Sequence, residues 1–339
     1  MEYLPVTLQS LEQAAKIIRS GGIVAFPTET VYGLGADAFN AAAIAKIFEV
    51  KGRPRFDPLI VHIAALETLE MTADTSLLSN ETLQKLSLLT RNFWPGPLSI
   101  VLPKNEKIPG IATAGLLTAA IRFPSHEAAQ KLITLSGGAV AAPSANPFGF
   151  LSPTKAEHVR DSLGGKIDMI LDGGSTQIGL ESTVLDITGN KINLLRHGGV
   201  SKEEIENLIG TVEDCTAAEN TEEVYASPGQ LKSHYAPKIP LFTFNDDDIS
   251  SLPFDETAAY LFFDDSSRSN WLKKHYKWLN SNFKVLSSYG QIKEAASCLF
   301  EILHDLDSLS VSRIYAQFTP DQGLGMAIND RLRRASANT

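Results

Sequence analysis

Cysteine is scarce in this chain. Among 339 residues there are two, Cys215 and Cys298, too few for a disulfide framework or a zinc motif and suited to a reducing compartment. The seven histidines are scattered, so no protein-ligated catalytic metal is expected. Positive charge does not dominate: 30 Lys+Arg stand against 39 Asp+Glu, a net charge of −9. That argues against a large basic face and against strong direct binding of nucleic acid. No apolar run reaches the roughly 18 residues a membrane helix needs. The start, Met-Glu-Tyr-Leu-Pro, lacks the basic and apolar regions of a leader. A soluble, cytoplasmic protein is expected, with no membrane contact. There is no Walker A lysine motif, no Gly-x-Ser-x-Gly elbow and no His-Glu-x-x-His helix.

What is present is an α/β pattern. Hydrophobic residues make up 43% and charged residues 20%, enough for ordinary cores in the two domains that this length suggests. Leu8, Leu11, Ala15 and Ile18 repeat at helical spacing and stop at Gly21-Gly22. Asn40 is placed to cap a second helix with Ala43, Ile44, Ile47 and Phe48 on one face. Short apolar runs read as strands at 23–26, 59–63, 98–102, 118–121, 139–142, 169–171, 183–187 and 191–195. The last two, joined through Gly189-Asn190, read as an antiparallel hairpin, so the sheet is expected to be mixed. Ser201 and Glu204 form a capping box. The stretch from Thr211 to Glu223 is acidic with few large apolar residues, which reads as a solvated linker. The expected layout is a first domain at 1–210, a linker or lid at 211–239 and a smaller α/β domain at 240–339.

The chemistry-bearing residues gather near strand ends. Lys51-Gly-Arg53-Pro54 puts two cations at i and i+2, before the apolar run from Pro58 to His62. Ser144-Ala-Asn146 is a small polar loop after another apolar run. Cations beside a polar turn suit a triphosphate, which binds where Lys and Arg converge with hydroxyls and backbone N–H groups. Taken singly, each element has a bland explanation. The basic loop could face water, and Thr28 could simply shape its turn. His62 could be a satisfied core histidine, and Ser144 and Asn146 could build a bend. Arg122, ending a strand, must reach solvent or meet an anion. Together they place hydroxyls, cations and amides where open α/β sheets bind ligands. Gly33-Leu-Gly35-Ala-Asp-Ala38 matches a dinucleotide fingerprint only weakly, because Pro27 to Tyr32 separate it from the preceding strand.

The ordered set is more specific than any member. Pro27-Thr-Glu-Thr-Val-Tyr-Gly-Leu34, Lys51-Gly-Arg-Pro54 with Pro58-Leu-Ile-Val-His62, Phe93-Trp-Pro-Gly-Pro97, Arg122-Phe-Pro124, Pro143-Ser-Ala-Asn146, Ser152, Glu181-Ser-Thr-Val184, Arg196 with Gly198, and Ser227-Pro-Gly with His234-Tyr-Ala-Pro237 resemble the long form of the threonylcarbamoyl-AMP synthases. The resemblance spans essentially the whole chain. It implies a YrdC-like twisted mixed sheet with flanking helices, plus a smaller Rossmann-like α/β domain.

It also implies a nucleotidyltransferase that makes threonylcarbamoyl-AMP and pyrophosphate from L-threonine, bicarbonate and ATP with Mg2+, and no organic cofactor. Partner proteins would then pass the threonylcarbamoyl group to an adenosine beside the anticodon of tRNA. Lys51 and Arg53 would carry the catalytic charge. Asp57, Ser144, Asn146, Ser152, Arg196 and Tyr235 would complete the ATP side. Thr30, His62, Arg122, Ser144 and Ser182 would hold threonine, Arg122 taking its carboxylate. Magnesium would ride mainly on the ATP phosphates, without protein ligands. Asp57 departs from the asparagine frequent in that family, and would repel phosphate unless it is paired with a cation or helps position magnesium. With Lys51 and Arg53 in a solvated cleft, their loss would cost activity rather than stability. An RNA-binding module or a non-catalytic nucleotide sensor are the alternative readings.

Overall fold

The computed structural model describes residues 1–216, 235–252, 254–275 and 282–337. Two compact units emerge. The first holds Met1–Phe148, Pro153–Gln177 and, among the described residues, 181–216. The second holds the described residues from Tyr235 onward together with Gly149–Ser152 and Ile178–Leu180.

The first unit is built on a mixed sheet. Its strands are β1 (Glu2–Pro5), β2 (Val24–Phe26), β3 (Gly33–Asp37), β4 (Ile60–Ile63), β5 (Leu98–Pro103), β6 (Thr118–Arg122), β7 (Ala139–Ala141), β8 (Met169–Asp172), β9 (Thr183–Asp186), β10 (Asn193–Arg196) and β11 (Glu213–Asp214). Their order is β1-β8-β2-β3-β7-β4-β6-β5-β9-β10-β11. Parallel and antiparallel pairs alternate irregularly, and β9 and β10 form the expected antiparallel hairpin. Several strands carry apolar side chains on both faces because helices cover both. Ala25, Leu34, Ala36, Ala139 and Ala141 pack on Ala43, Ile44, Ile47, Val159 and Leu163 of the helices Ala41–Lys51 and Ala156–Leu163. Val24, Phe26, Val140 and Met169 pack on Leu11, Ala15, Ile18, Leu132 and Ile133 of the helices Leu8–Arg19 and Glu127–Leu135. Each buried large aliphatic or aromatic side chain contributes about 1.5–3 kcal/mol.

The glycine-rich stretch from Gly33 is a strand, not a phosphate loop. Gly35 is required by packing: a Cβ there would sit 2.7 Å from the Phe26 ring and 2.8 Å from Val140. The first unit also runs past residue 210. Val212 is buried in its core, β11 pairs in parallel with β10, and His197 Nε2 lies 2.8 Å from Asp214 Oδ2. Two exposed acidic residues on a short edge strand carry the linker-like composition. Most of the rest of that linker, residues 217–234, including Ser227 and His234, lies outside the described residues.

The second unit carries four parallel strands, β12 (Leu241–Phe244), β13 (Ala258–Phe262), β14 (Asn282–Val285) and β15 (Arg313–Gln317), in the order β12-β15-β13-β14. Trp271, Tyr260, Phe262 and Phe283 form its aromatic core. Among the described residues no helix is long and apolar enough to cross a membrane.

Candidate functional site

Half of the first unit's sheet has one dry face and one chemical face. On the dry face Leu98, Ile100, Ala119, Ile121, Leu185 and Leu194 pack under Leu86, Leu89 and Ile205. On the other, Ile60, Ala120, Val101, Val184 and Leu195 make a small apolar floor. Alternation along each strand puts His62, Arg122, Ser99 and Ser182 on that same face, two residues from the floor. His62 is the register partner of Arg122, and Arg122 of Ser99. Ser99 and Ser182 share a hydrogen bond of 2.8 Å. Arg196 donates to the Ser182 carbonyl and hydroxyl, each at 3.0 Å. A bulge between Leu194 and Arg196 shifts the register where this arginine leaves β10.

The turn after β2 borders this row. Thr28 bonds its own turn, accepting from Thr30 N and Val31 N and donating to Val31 O. Arg122 Nη1 donates to Thr30 Oγ1 at 2.9 Å and Nε to Gly96 O at 3.2 Å. Its Nη2 lies 2.7 Å from Glu29 Oε1, both side chains being buried.

The two basic and polar motifs do meet. Asn40 caps the helix Ala41–Lys51 through Ala42 N and Ala43 N. Gly52 stops it at φ 63°, a left-handed turn that suits glycine. Lys51, the last helical residue, donates to the carbonyls of Ser144 and Asn146. Phe148 N returns a bond to Lys51 O at 2.8 Å. Arg53 lies 2.8 Å from Asp57 Oδ1 and also donates to the carbonyls of Asp57 and Pro58.

Burial and charge set the protonation states. Burial pushes the Lys51 ammonium well below its usual value, with Arg53 adding and Asp57 opposing. Burial raises the Asp57 carboxyl against the pull of Arg53, Lys51 and Arg196, which places those four groups in one field. Burial, reinforced by Arg122, brings His62 down to about 3. Its imidazole is therefore neutral, and Nδ1 is buried without a hydrogen bond among the described residues. Burial would raise Glu29, but the charge and hydrogen bond of Arg122 outweigh it and leave the carboxyl below its usual range.

Comparison with known proteins gives this geometry a name. The profile described as "Telomere recombination", for the Sua5, YciO and YrdC group, matches residues 16–198. The profile "Threonylcarbamoyl-AMP synthase, C-terminal domain" matches residues 200–337. The chain is similar to threonylcarbamoyl-AMP synthase of Pyrococcus abyssi, 41% identical over 324 residues, 95% of this chain and 93% of that one. It is equally similar to that of Bacillus subtilis, 41% over 330 residues, 96% and 92% of the two chains. The chain belongs to the threonylcarbamoyl-AMP synthase family. The crystal structure of P. abyssi Sua5 complexed with L-threonine superimposes with a TM-score of 0.84 at 38% identity, covering 99% of this chain and 96% of that one.

Against the residues expected of a family member, the first unit joins Lys51, Arg53, Asp57, Ser144 and Asn146 in one cluster, and Thr30, Arg122, Ser182, Arg196 and His62 in the other. Ser152 and Tyr235 fall in the second unit. The Ser152 carbonyl lies 3.1 Å from His304 Nε2. Tyr235, at φ 64°, is 2% exposed, its ring 5.6 Å from Phe300 and under the Arg331 guanidinium at 5.1 Å.

One expectation needs correction. Lys51 and Arg53 are not solvated: they are 4% and 7% exposed and help tie the loops together. Asp57 meets one of the conditions set for it, since a cation, Arg53, pairs with it. Two residues went unassigned in the sequence. Ser99 is a fully buried serine inside an apolar strand, and that lone polar residue was the available signal. Glu29, in the threonine-rich turn, proves to be the partner of Arg122.

Proposed function

We propose that this protein makes threonylcarbamoyl-AMP and pyrophosphate from L-threonine, bicarbonate and ATP, in a cytoplasmic setting. Other proteins would transfer the threonylcarbamoyl group to the adenosine next to the anticodon in tRNA. The observation that carries the reading is the adjacency of two clusters: Lys51 and Arg53 around Asp57, and Arg122 and His62 on paired strands with Thr30 on the turn beside them, with the charge of Arg196 acting on both Asp57 and His62. The first suits the phosphates of ATP. The second suits a small molecule with a carboxylate and a hydroxyl, the neutral His62 offering an acceptor at Nδ1. The amine of threonine adds to carbon dioxide with loss of a proton, or to bicarbonate with loss of water, to give a carbamate; its oxygen then attacks the α-phosphorus as the bond to pyrophosphate breaks and pyrophosphate leaves. Fixed cations offset the charge that spreads over the phosphates in such a step. Magnesium enters as part of the Mg–ATP substrate.

The test is pyrophosphate release by the purified chain with each substrate omitted in turn. Release that needs L-threonine, bicarbonate, ATP and magnesium together is expected. Release indifferent to threonine would defeat the reading, and nucleotide binding without release would make the protein a sensor.

A further inference from the structure

Glu29 is 3% exposed and touches Arg122 Nη2 at 2.7 Å through Oε1. The Arg122 contact is close, and it holds the carboxylate charge, but it is not aligned as a well-directed hydrogen bond, so neither Glu29 oxygen nor Arg122 Nη2 is fully satisfied by it. The other two guanidinium nitrogens are committed to Gly96 O and Thr30 Oγ1. A buried carboxylate ordinarily fills its acceptor sites. Here a buried ion pair keeps spare capacity on both partners, and buried ion pairs are in general often replaceable by apolar residues without loss of stability, so the pair is not explained by stability alone. The backbone amides of Glu29 and Ser125 also reach this carboxylate, which leaves at least one of its roughly four acceptor sites open; His126 lies nearby, but its Nδ1 already accepts from Ala128 N at 3.2 Å.

An α-amino acid carries an ammonium beside a carboxylate, the reverse of the carboxylate and guanidinium that Glu29 and Arg122 present. Laid antiparallel on the pair, its carboxylate meets Arg122 and its ammonium meets Glu29. Four charges then alternate, and none is left buried without an opposite neighbour. Arg122 alone would accept any carboxylate and leave the ammonium desolvated, which is costly. We propose that Glu29 is the ammonium-recognising half of the amino-acid subsite, so that the Glu29–Arg122 pair selects a zwitterion rather than a simple carboxylate. This rests on the functional reading above and assigns Glu29 a specificity role within it.

The test measures equilibrium binding to the full chain of three ligands: L-threonine, 2,3-dihydroxybutanoate (threonine with its amino group replaced by hydroxyl) and ATP. The wild-type protein should prefer threonine to the dihydroxy acid by roughly tenfold or more, since removing one member of a buried charge pair is strongly felt. In Glu29→Gln that preference should collapse toward one, through loss of threonine affinity, with ATP affinity unchanged within about threefold. An equal loss of both acids, or a retained preference, overturns the proposal and leaves Glu29 a structural partner of Arg122. Should Glu29→Gln not fold, Glu29→Asp decides: a preference reduced by about threefold or more supports the proposal, and an unchanged one overturns it. No threonine binding by the wild-type chain would instead defeat the functional reading, whereas threonine bound without preference defeats this inference alone.

Discussion

Arg53 meets Asp57 at 2.8 Å, four residues further along the same loop, and neither side chain is more than 4% exposed. This pair makes the cluster of Lys51, Arg53 and Asp57 a structural element. A cation held this way is already oriented before any ligand arrives, which is the condition for stabilising charge that develops during reaction.

Arg53→Ala should therefore lose both activity and stability. Leaving Asp57 without its ion-pair partner costs about 3–5 kcal/mol in comparable buried pairs, and a missing charge-stabilising donor lowers turnover by about 10²–10³. Denaturant titration and pyrophosphate release measure the two. A variant with normal stability would contradict the pairing.

Lys51→Ala should cost less stability, about 1–3 kcal/mol, because it strands the carbonyls of Ser144 and Asn146 rather than a charge. The loop from Ser144 to Asn146 should then loosen, and amide exchange at Phe148, whose N–H bonds Lys51 O, should speed up. Unchanged protection there would show that the lysine side chain does not hold the loop.

Asp57→Asn removes one negative charge from the field of Lys51, Arg53 and Arg196 while keeping an oxygen that can accept from Arg53. ATP should bind more tightly, by up to about tenfold, and with a steeper salt dependence. Calorimetry at two ionic strengths checks this. Weaker binding would mean that the Asp57 charge itself assists the nucleotide.

His62 makes stability depend on pH. Its folded value, about 3, lies below the ordinary unfolded value of roughly 6.5. The contribution is present above pH 6.5 and is lost as pH falls from there toward 3, at about 1.4 kcal/mol per pH unit. Between pH 6.5 and 5, where carboxyls are still ionised in the unfolded chain, the wild type should lose about 2 kcal/mol more than His62→Asn. Parallel denaturation curves for the two proteins would refute this.

A chain ending at residue 209 lacks Val212, β11 and the Asp214 partner of His197. It should be less stable than one ending at 216, and a difference in melting temperature of a few degrees is the expected reading, as about 1 kcal/mol gives in domains of this size. Equal melting would put the edge of the first unit back at 210.

Much of the first unit was legible because its helices announce themselves. Asn40 and Ser201 cap where capping chemistry predicts, and the apolar runs fall on strands. What stayed hidden was pairing across distance. β3 reads as a glycine motif because its small residues answer to Phe26 and Val140, which are remote in sequence. β1 is a short edge strand with no buried residue, so periodicity gives it no signal. At the site, the residue types were legible but their partners were not. Nothing in Pro27-Thr-Glu-Thr says that its carboxylate faces an arginine more than ninety positions away.

The order of the strands has a consequence for the chain during synthesis. Thr30, His62, Arg122, Ser182 and Arg196 come from five segments, and the last of them emerges only when β10 does. Until then an N-terminal stretch has Lys51 and Arg122 but no completed row to hold them. This row thus forms late and all at once, through contacts of long sequence separation that fold slowly. Substrates can stabilise only the finished first unit, not its nascent parts, so protection from proteolysis by L-threonine or ATP should appear abruptly with chain length.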